Sequence, residues 1–502
     1  MAAIPLALRV PRYEGEIPGL PARAFTFTNS ERSDFACPRK WFYRRAMRLE
    51  SNRTPRPLSY GRAWADCMEE VYTWWMERDE PYPLRSVLGA DYGEGGEQRQ
   101  PCLFCDGARC ARCRETGLCA YARTLDEWGH AVARNRMDLE EAERDAIVLR
   151  RALRGYFEVY GVGPSVDYRV VGVELSLCAQ VHHPLTGRPY KPRMYLLRTE
   201  QGYRMPLPGE WAEGKPAAGV TVSWPWYQVG RLDAVLQHRR TGALWVVEFK
   251  SSKDPLGYIR GVSVDPQTTG YTDLLERSID AGLLPFSGPV VGVLFDVASS
   301  QLQSAPARLK DQKLSKKAPE REQGLEWKVP RLSTAKNKTT PSWLYRDAIA
   351  VATPTPDGQH VPLEPYLDHI RWCRQTWDQR LYQRESFALG ASDLGRYRDE
   401  SYGLSARIAR QWRQVARAGS AEEINLEFPR VPVCRMGRGG CSYFGPCGSN
   451  TDPTEEKFSI GKGQTWVFTT PDDLPGSPDI PGSDSPSASP SLTTLTNEEA
   501  GF

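Results

Sequence analysis

The sequence has no run of about 18 apolar residues, the length a helix needs to cross a bilayer. Its opening stretch, Met1–Val10, lacks the charged and cleavable layout of a signal peptide. A cytoplasmic protein without a membrane partner is expected (the host cytoplasm, were the source a phage). No G-x-x-x-x-G-K-[ST] loop is present to cradle phosphates, which excludes a P-loop ATPase or helicase motor in this chain. Histidine is scarce: His130, His182, His183, His238, His360 and His369 are the whole set, and none sits at a metal-ligand spacing. His182-His183-Pro184 reads as a turn. No internal repeat of solenoid period occurs.

What is present fits a globular chain of two or three domains: 502 residues, 40% hydrophobic and 25% charged. The net charge of +3 hides an asymmetry, because nine acids and only two lysines follow residue 450. The remainder therefore carries about +10, a balance that attracts polyanions such as nucleic acid. Residues 308–338 hold ten basic and four acidic residues with little apolar pattern, and are expected to form a flexible basic loop.

The twelve cysteines are clustered, which in a reducing compartment suggests metal rather than disulfides. Cys102-x2-Cys105-x4-Cys110-x2-Cys113 offers two knuckles for one tetrahedral Zn²⁺, with Cys119 as an alternative ligand. It resembles the cysteine-rich zinc motif of the DnaJ chaperones over about 20 residues, which implies zinc and not chaperone function. Arg109, Arg112 and Arg114 between these cysteines suit phosphate contacts or plain solvation equally. A second group, Cys434, Cys441 and Cys447, lies among glycines and prolines. Cys67, Cys178 and Cys373 read as buried fillers.

Periodicity predicts helices over 31–48, 60–78, 138–160, 267–281, 363–384 and 405–417. Strands are expected over 168–181, 227–238, 243–251, 289–297 and 343–352. Residues 1–28 read as irregular and 451–502 as a disordered acidic tail. Trp41, Trp74 and Trp75 are candidates for stacking on unpaired bases, while Trp224, Trp226 and Trp245 read as packing.

The sharpest signal is GRLDAVLQHRRTGALWVVEFKSS, Gly230–Ser252. Asp233 lies on one strand of a hairpin and Glu248-Phe249-Lys250 on the next. Alternation puts Glu248 and Lys250 on one face. Two carboxylates and an ammonium at one point suit Mg²⁺ or Mn²⁺ and the hydrolysis of a phosphodiester. An E-x-K alone is worth little, since charged strand faces are usually just solvated. Here it ends the apolar run Leu244–Val247, where a charged pair needs partners or a task.

These residues resemble the RecB-like branch of the PD-(D/E)XK nucleases, especially the iron–sulfur exonucleases of CRISPR systems and phages. The likeness covers most of residues 28–450. It rests on SERSDFACPRKWFYRR (Ser30–Arg45), on Tyr60-Gly61-Arg62-Ala63-Trp64-Ala65 with Glu69, on Asp233, Glu248 and Lys250, on Asp265-Pro266-Gln267-Thr268-Thr269-Gly270-Tyr271, and on the late cysteines. The resemblance implies a restriction-endonuclease-like α/β fold, a mixed central sheet flanked by helices. It implies Gln267 and Tyr271 as assisting residues, and Cys37 with Cys434, Cys441 and Cys447 as ligands of a [4Fe–4S] cluster, with zinc as the competing metal. The family usually has a metal-binding His where Ala65 stands, leaving Asp66, Glu69 or Glu174 to compensate. The organisation expected is thus 1–28 irregular, 29–80 helical with Cys37, 81–122 the inserted zinc module, 123–432 the nuclease core, 433–450 the iron–sulfur segment and 451–502 the tail. The expected activity is exonucleolytic cleavage of single-stranded DNA ends in recombination, repair or phage DNA processing, with recombination or helicase proteins as partners. The alternatives are a DNA-binding protein impaired by the missing His, and an interaction module held together by its metals.

Overall fold

The computed structural model describes residues 17–21, 24–34, 37–42, 44, 49–51, 56–84, 87, 103–104, 116, 118–199, 202–204, 219–262, 266–303, 340–350, 364–417 and 458–460. Strand β1 (Phe25–Phe27) leads into α1 (Asn29–Asp34) and α2 (Pro38–Trp41). The single helix expected over 31–48 is broken because Cys37 precedes a proline, which disfavours the helical region. Cys37 accordingly adopts φ −127°, ψ 107°. Then come β2 (Leu49–Ser51) and the long helix α3 (Arg56–Arg78). Helices α4 (Ala120–Ala133) and α5 (Leu139–Tyr160) follow. Asp138 caps α5 by accepting the Glu140 and Glu141 N–H groups at 2.9 and 3.3 Å, worth about 1 kcal/mol.

Strand β3 (Tyr168–Gln180) precedes a small antiparallel sheet of β4 (Arg193–Thr199), β5 (Gly202–Arg204) and β6 (Gly219–Ser223), in the order β5-β4-β6. The hairpin β7 (Trp226–His238) and β8 (Leu244–Ser252) comes next, with Gly242 at φ 71° in its turn, a left-handed angle that favours glycine. Helices α6 (Pro255–Val262) and α7 (Pro266–Asp280) lead to β9 (Val290–Ser299). The rest comprises α8 (Ser342–Ala350), α9 (Glu364–Cys373), a π-helical turn Arg374–Asp378, β10 (Tyr382–Ala388), α10 (Ala391–Arg417) and β11 (Phe458–Ile460).

The central sheet is mixed, in the order β1-β7-β8-β9-β10 with β3 also on β7. β3 runs antiparallel along nearly all of β7, from Tyr168↔His238 to Gln180↔Tyr227. A strand has two edges, so β8 and β1 must share the other. β8 pairs there with Ala234–Gln237 and β1 with Trp226–Gln228. Between them, Val229–Asp233 pairs with neither strand on that edge. The sheet therefore opens at the residue singled out as catalytic.

Each face of the sheet is covered. On one, α3, α4 and α5 bury Trp64, Met68, Val71, Tyr72, Leu149 and Tyr156 against Ala234, Val247 and Phe249. On the other, α6 and α7 bury Ile259, Leu274 and Leu275 against Leu232, Val246 and Phe295. Each large apolar side chain removed from water contributes about 1.5–3 kcal/mol, so the two layers fix the strands firmly. A third cluster joins α10 to β1 and the small sheet through Ile408, Trp412, Phe25, Met194 and Trp226.

Several expectations fail for non-local reasons. Residues 343–350 form part of helix α8 rather than a strand, with Trp343, Tyr345 and Ile349 buried at helical spacing. The end of the helix expected over 363–384 is instead the start of β10, captured by the free edge of β9 from Tyr382↔Ala298 to Ala388↔Gly292. α10 begins at Ala391, well before residue 405. β1 lies in the segment read as irregular, and β11 lies in the tail and pairs antiparallel with β2. Trp41 is fully buried with its edge on Trp412, and Trp75 is buried too, so neither presents a face to a base. No described helix is long and apolar enough to cross a membrane.

Candidate active site

At the opening of the sheet the backbone ladder between β7 and β8 gives way to side chains. The last paired position is Ala234↔Val247. One step on, Asp233 Oδ2 accepts the Phe249 N–H at 2.7 Å, so a carboxylate takes the place of a strand carbonyl. Glu248 is 3% exposed, held at the end of the apolar strand that the sequence displays. Lys250, two residues on, turns back and donates its Nζ to Glu248 Oε1. Gln267, in the first turn of α7, donates from Nε2 to the same Oε1 at 3.0 Å and to the Tyr271 hydroxyl at 2.9 Å. The structure thus unites Asp233, Glu248, Lys250, Gln267 and Tyr271.

Burial draws the Lys250 ammonium downward, but the Glu248 and Asp233 carboxylates outweigh it and hold the pKa above the ordinary lysine value. The lysine is therefore a fixed cation. Two carboxylates against one ammonium leave an excess of negative charge. Carboxylate oxygens are the hard donors that Mg²⁺ and Mn²⁺ favour, so Asp233 and Glu248 fit such an ion. Among the described residues no group of three or more His, Cys, Asp and Glu side chains is arranged to hold a metal. Water and substrate oxygens would complete the shell, as is usual for Mg²⁺.

A second charged group flanks the first. Glu174 lies on β3 between the pairs Val173↔Ala234 and Leu175↔Leu232, opposite Asp233. Its φ is 54°, a left-handed angle that costs a non-glycine residue about 1–3 kcal/mol. The strand switches faces there: Val173 packs with the α3 layer and Leu175 with the α7 layer. Arg231, two residues before Asp233, forms ion pairs with Glu174 and, at 3.9 Å, with Glu69 of α3. On α3, Gly61 approaches Ser251 of β8, and Ala65 and Glu69 follow at one-turn intervals on that side. The two carboxylates that could stand in for a ligand at Ala65 are thus engaged by Arg231. The third, Asp66, is buried and lies 3.8 Å from Arg62. Arg231 stands within the Gly230–Ser252 motif, yet nothing in its spacing marks it, because both partners come from distant segments.

The cysteine sites fall mostly elsewhere. Cys102, Cys105, Cys110, Cys113, Cys434, Cys441 and Cys447 lie outside the described residues, as do Asp265 and the basic loop 308–338. Phe104, between two of those cysteines, rests against Trp74 with ring centroids 5.8 Å apart. Cys37 is half-buried at the start of α2, its N–H donating to the Asp34 carbonyl. Cys119 is buried in the core, where burial pushes its thiol up to about 12. Cys67, Cys178 and Cys373 are buried, as the sequence suggested.

A mixed central sheet flanked by helices and opened at two carboxylates and a lysine fits a nuclease fold. The family model of the PD-(D/E)XK nuclease superfamily matches residues 34–447, and the chain belongs to that superfamily. Its members are in general nucleases that use Mg²⁺ or Mn²⁺ on DNA. The match encloses every residue of the site and runs from just before Cys37 to Cys447. A search of curated proteins found no match.

Proposed function

We propose that this chain hydrolyses DNA phosphodiesters as an exonuclease on single-stranded ends. The observation that carries the hydrolytic part is the meeting of Asp233, Glu248 and Lys250 where β7 and β8 part. A divalent cation held by Asp233 and Glu248 would polarise the phosphate and acidify a bound water. Lys250 stays protonated and orients the attacking oxygen, then offsets negative charge developing on phosphorus. Gln267 fixes the rotamer of Glu248, and Tyr271 fixes Gln267. Asp233 holds both its own position and the Phe249 backbone, so the separation of the two carboxylates is set by the hairpin.

The single-strand preference, the action on ends and a role in recombination, repair or phage DNA processing, with helicase or recombination partners, follow the family resemblance. A [4Fe–4S] cluster on Cys37, Cys434, Cys441 and Cys447 follows the same family resemblance of the sequence. Zinc on Cys102, Cys105, Cys110 and Cys113 is supported by their spacing. Anaerobic purification with iron and zinc analysis tests both: Cys441→Ser should lose iron alone and Cys105→Ser zinc alone.

The deciding experiment is Mg²⁺- or Mn²⁺-dependent degradation of end-labelled DNA by the full chain. Activity that survives Lys250→Ala would overturn this mechanism. The engagement of Glu69 and Glu174 by Arg231 favours one other reading, a DNA-binding protein of this fold with weak metal affinity. It predicts salt-dependent DNA binding without cleavage.

A further inference from the structure

Three segments that pack on one another contain no acidic residue: Val181–Thr199, Gly219–Gly230 and Ser401–Arg417. They are joined by the core cluster of α10 and the small sheet. Aromatic rings tie the loop after β3 to α10, with Tyr402 4.8 Å from His183 and 5.1 Å from Tyr190. Arg410 and Arg413 both act electrostatically on the Tyr190 hydroxyl, so they stand beside that loop. On this surface Arg188, Lys191, Arg193, Arg410 and Arg413 are exposed. None of the five has an ion-pair partner among the described residues. An arginine on a folded surface commonly finds a carboxylate, and elsewhere on α10 Arg396 and Arg398 do. Here the described residues gather cations and supply no counter-charge.

We propose that Arg188, Lys191, Arg193, Arg410 and Arg413 form an exosite for the phosphodiester backbone of the DNA strand that leads away from the active site. Helix α10 connects the two places. Its Tyr397 hydroxyl lies over Gly270 of α7, one turn from Gln267, and donor Gln228 of β7 holds that hydroxyl at 2.7 Å. At 1.5 Å per residue, Arg410 and Arg413 stand about 20–24 Å further along the helix. For a strand stacked as in a duplex, at about 3.4 Å per nucleotide, that span is roughly six or seven nucleotides. A tetranucleotide in the site would fall short of the patch, and a 20-mer would cover it. The basic side chains would hold the strand in place between cuts without reading its sequence, since phosphate contacts carry no sequence information directly.

This inference rests on the DNA-cleaving reading above, and one experiment separates the two. Binding of fluorescent single-stranded 4-mers and 20-mers is measured by anisotropy in the full-length Lys250→Ala background, across a salt series. Arg410→Glu/Arg413→Glu should weaken 20-mer binding about tenfold at about 0.1 M salt. It should also flatten the salt slope by about 1.4, at ~0.7 for each phosphate that the protein no longer neutralises. The 4-mer affinity should not change, nor should cleavage of the 4-mer by the otherwise wild-type enzyme. Arg188→Gln/Lys191→Gln, on a different element, should reproduce the length-selective loss, which an unfolded variant could not. Equal loss on both lengths, or no loss on the 20-mer, overturns the exosite while cleavage by the wild type leaves the nuclease reading intact. Absence of any DNA binding and cleavage by the wild type overturns both.

Discussion

Two buried carboxylates stand on paired strands one position out of step, and they meet opposite fates. Phe249 of β8 pairs with Asp296 of β9, so Glu248, one residue earlier, points to the other side of the sheet. Asp296 is fully buried under α3 and α5. It accepts from the Tyr72 hydroxyl at 3.3 Å, from the Tyr156 hydroxyl and from Arg384 at 2.9 Å. Arg384 in turn lies 4.2 Å over the Tyr160 ring. One acid, one base and two hydroxyls bring that cluster to zero net charge. Glu248 has a cation too, but it shares Lys250 with Asp233, and the cluster stays one charge negative. The lesson is that burial of an ion pair does not mark a site. Two carboxylates drawn to one lysine at an opening of the sheet carry the proposed one.

The largest effect should come from breaking the unbalanced cluster. Glu248→Gln should lower DNA cleavage about 10³-fold with little change in thermal unfolding, because Lys250 keeps Asp233 as a charged neighbour. In the balanced cluster the effects should be reversed. Arg384→Ala leaves Asp296 buried without its cation, so unfolding in urea should show a loss of about 3–5 kcal/mol, while turnover per folded molecule stays within a few-fold. If Arg384→Ala instead abolished cleavage in a stable protein, the distinction between the two clusters would fall. Gln267→Ala, which removes only the support of Glu248, should cost about 10–100-fold in metal affinity or activity. A smaller, opposite effect is expected from Arg231→Gln. Freeing Glu69 and Glu174 should tighten Mn²⁺ binding by about tenfold or less, measured by electron paramagnetic resonance of the free ion.

The smallest effect concerns the buried thiols, which also lie away from the site. Burial holds Cys178 up at about 11 and Cys119 and Cys373 at about 12. A folded value raised above the unfolded one means that this contribution to stability is complete below the ordinary thiol range. It is then lost as pH rises through about 11–12. Alkylation of these three cysteines followed by mass spectrometry should therefore stay slow at pH 8 in the native protein and become fast only on unfolding.

Much of this was legible in the residues themselves. The apolar run Leu244–Val247 ending in Glu248-Phe249-Lys250 announces a buried strand with a charged end. The helix expected over 138–160 is α5, Leu139–Tyr160, and it stops at Gly161. The four-residue step from Gln267 to Tyr271 places both on one side of α7. The errors have a common origin. Tyr382–Ala388 has no strand signature of its own and becomes one because β9 offers an edge. Trp41 looks like a stacking platform until α10 covers it. Arg231 looks like one more basic residue until α3 and β3 deliver Glu69 and Glu174 to it.

The sequence by itself determined which groups share a strand or a helix face, because alternation and the 3.6-residue turn are local geometry that a few neighbouring residues fix. Only the tertiary structure decided where the sheet opens, which carboxylates remain beside the opening and which a cation has already taken. Those outcomes depend on the meeting of segments far apart in the chain, and such meetings leave no mark on the spacing of either segment.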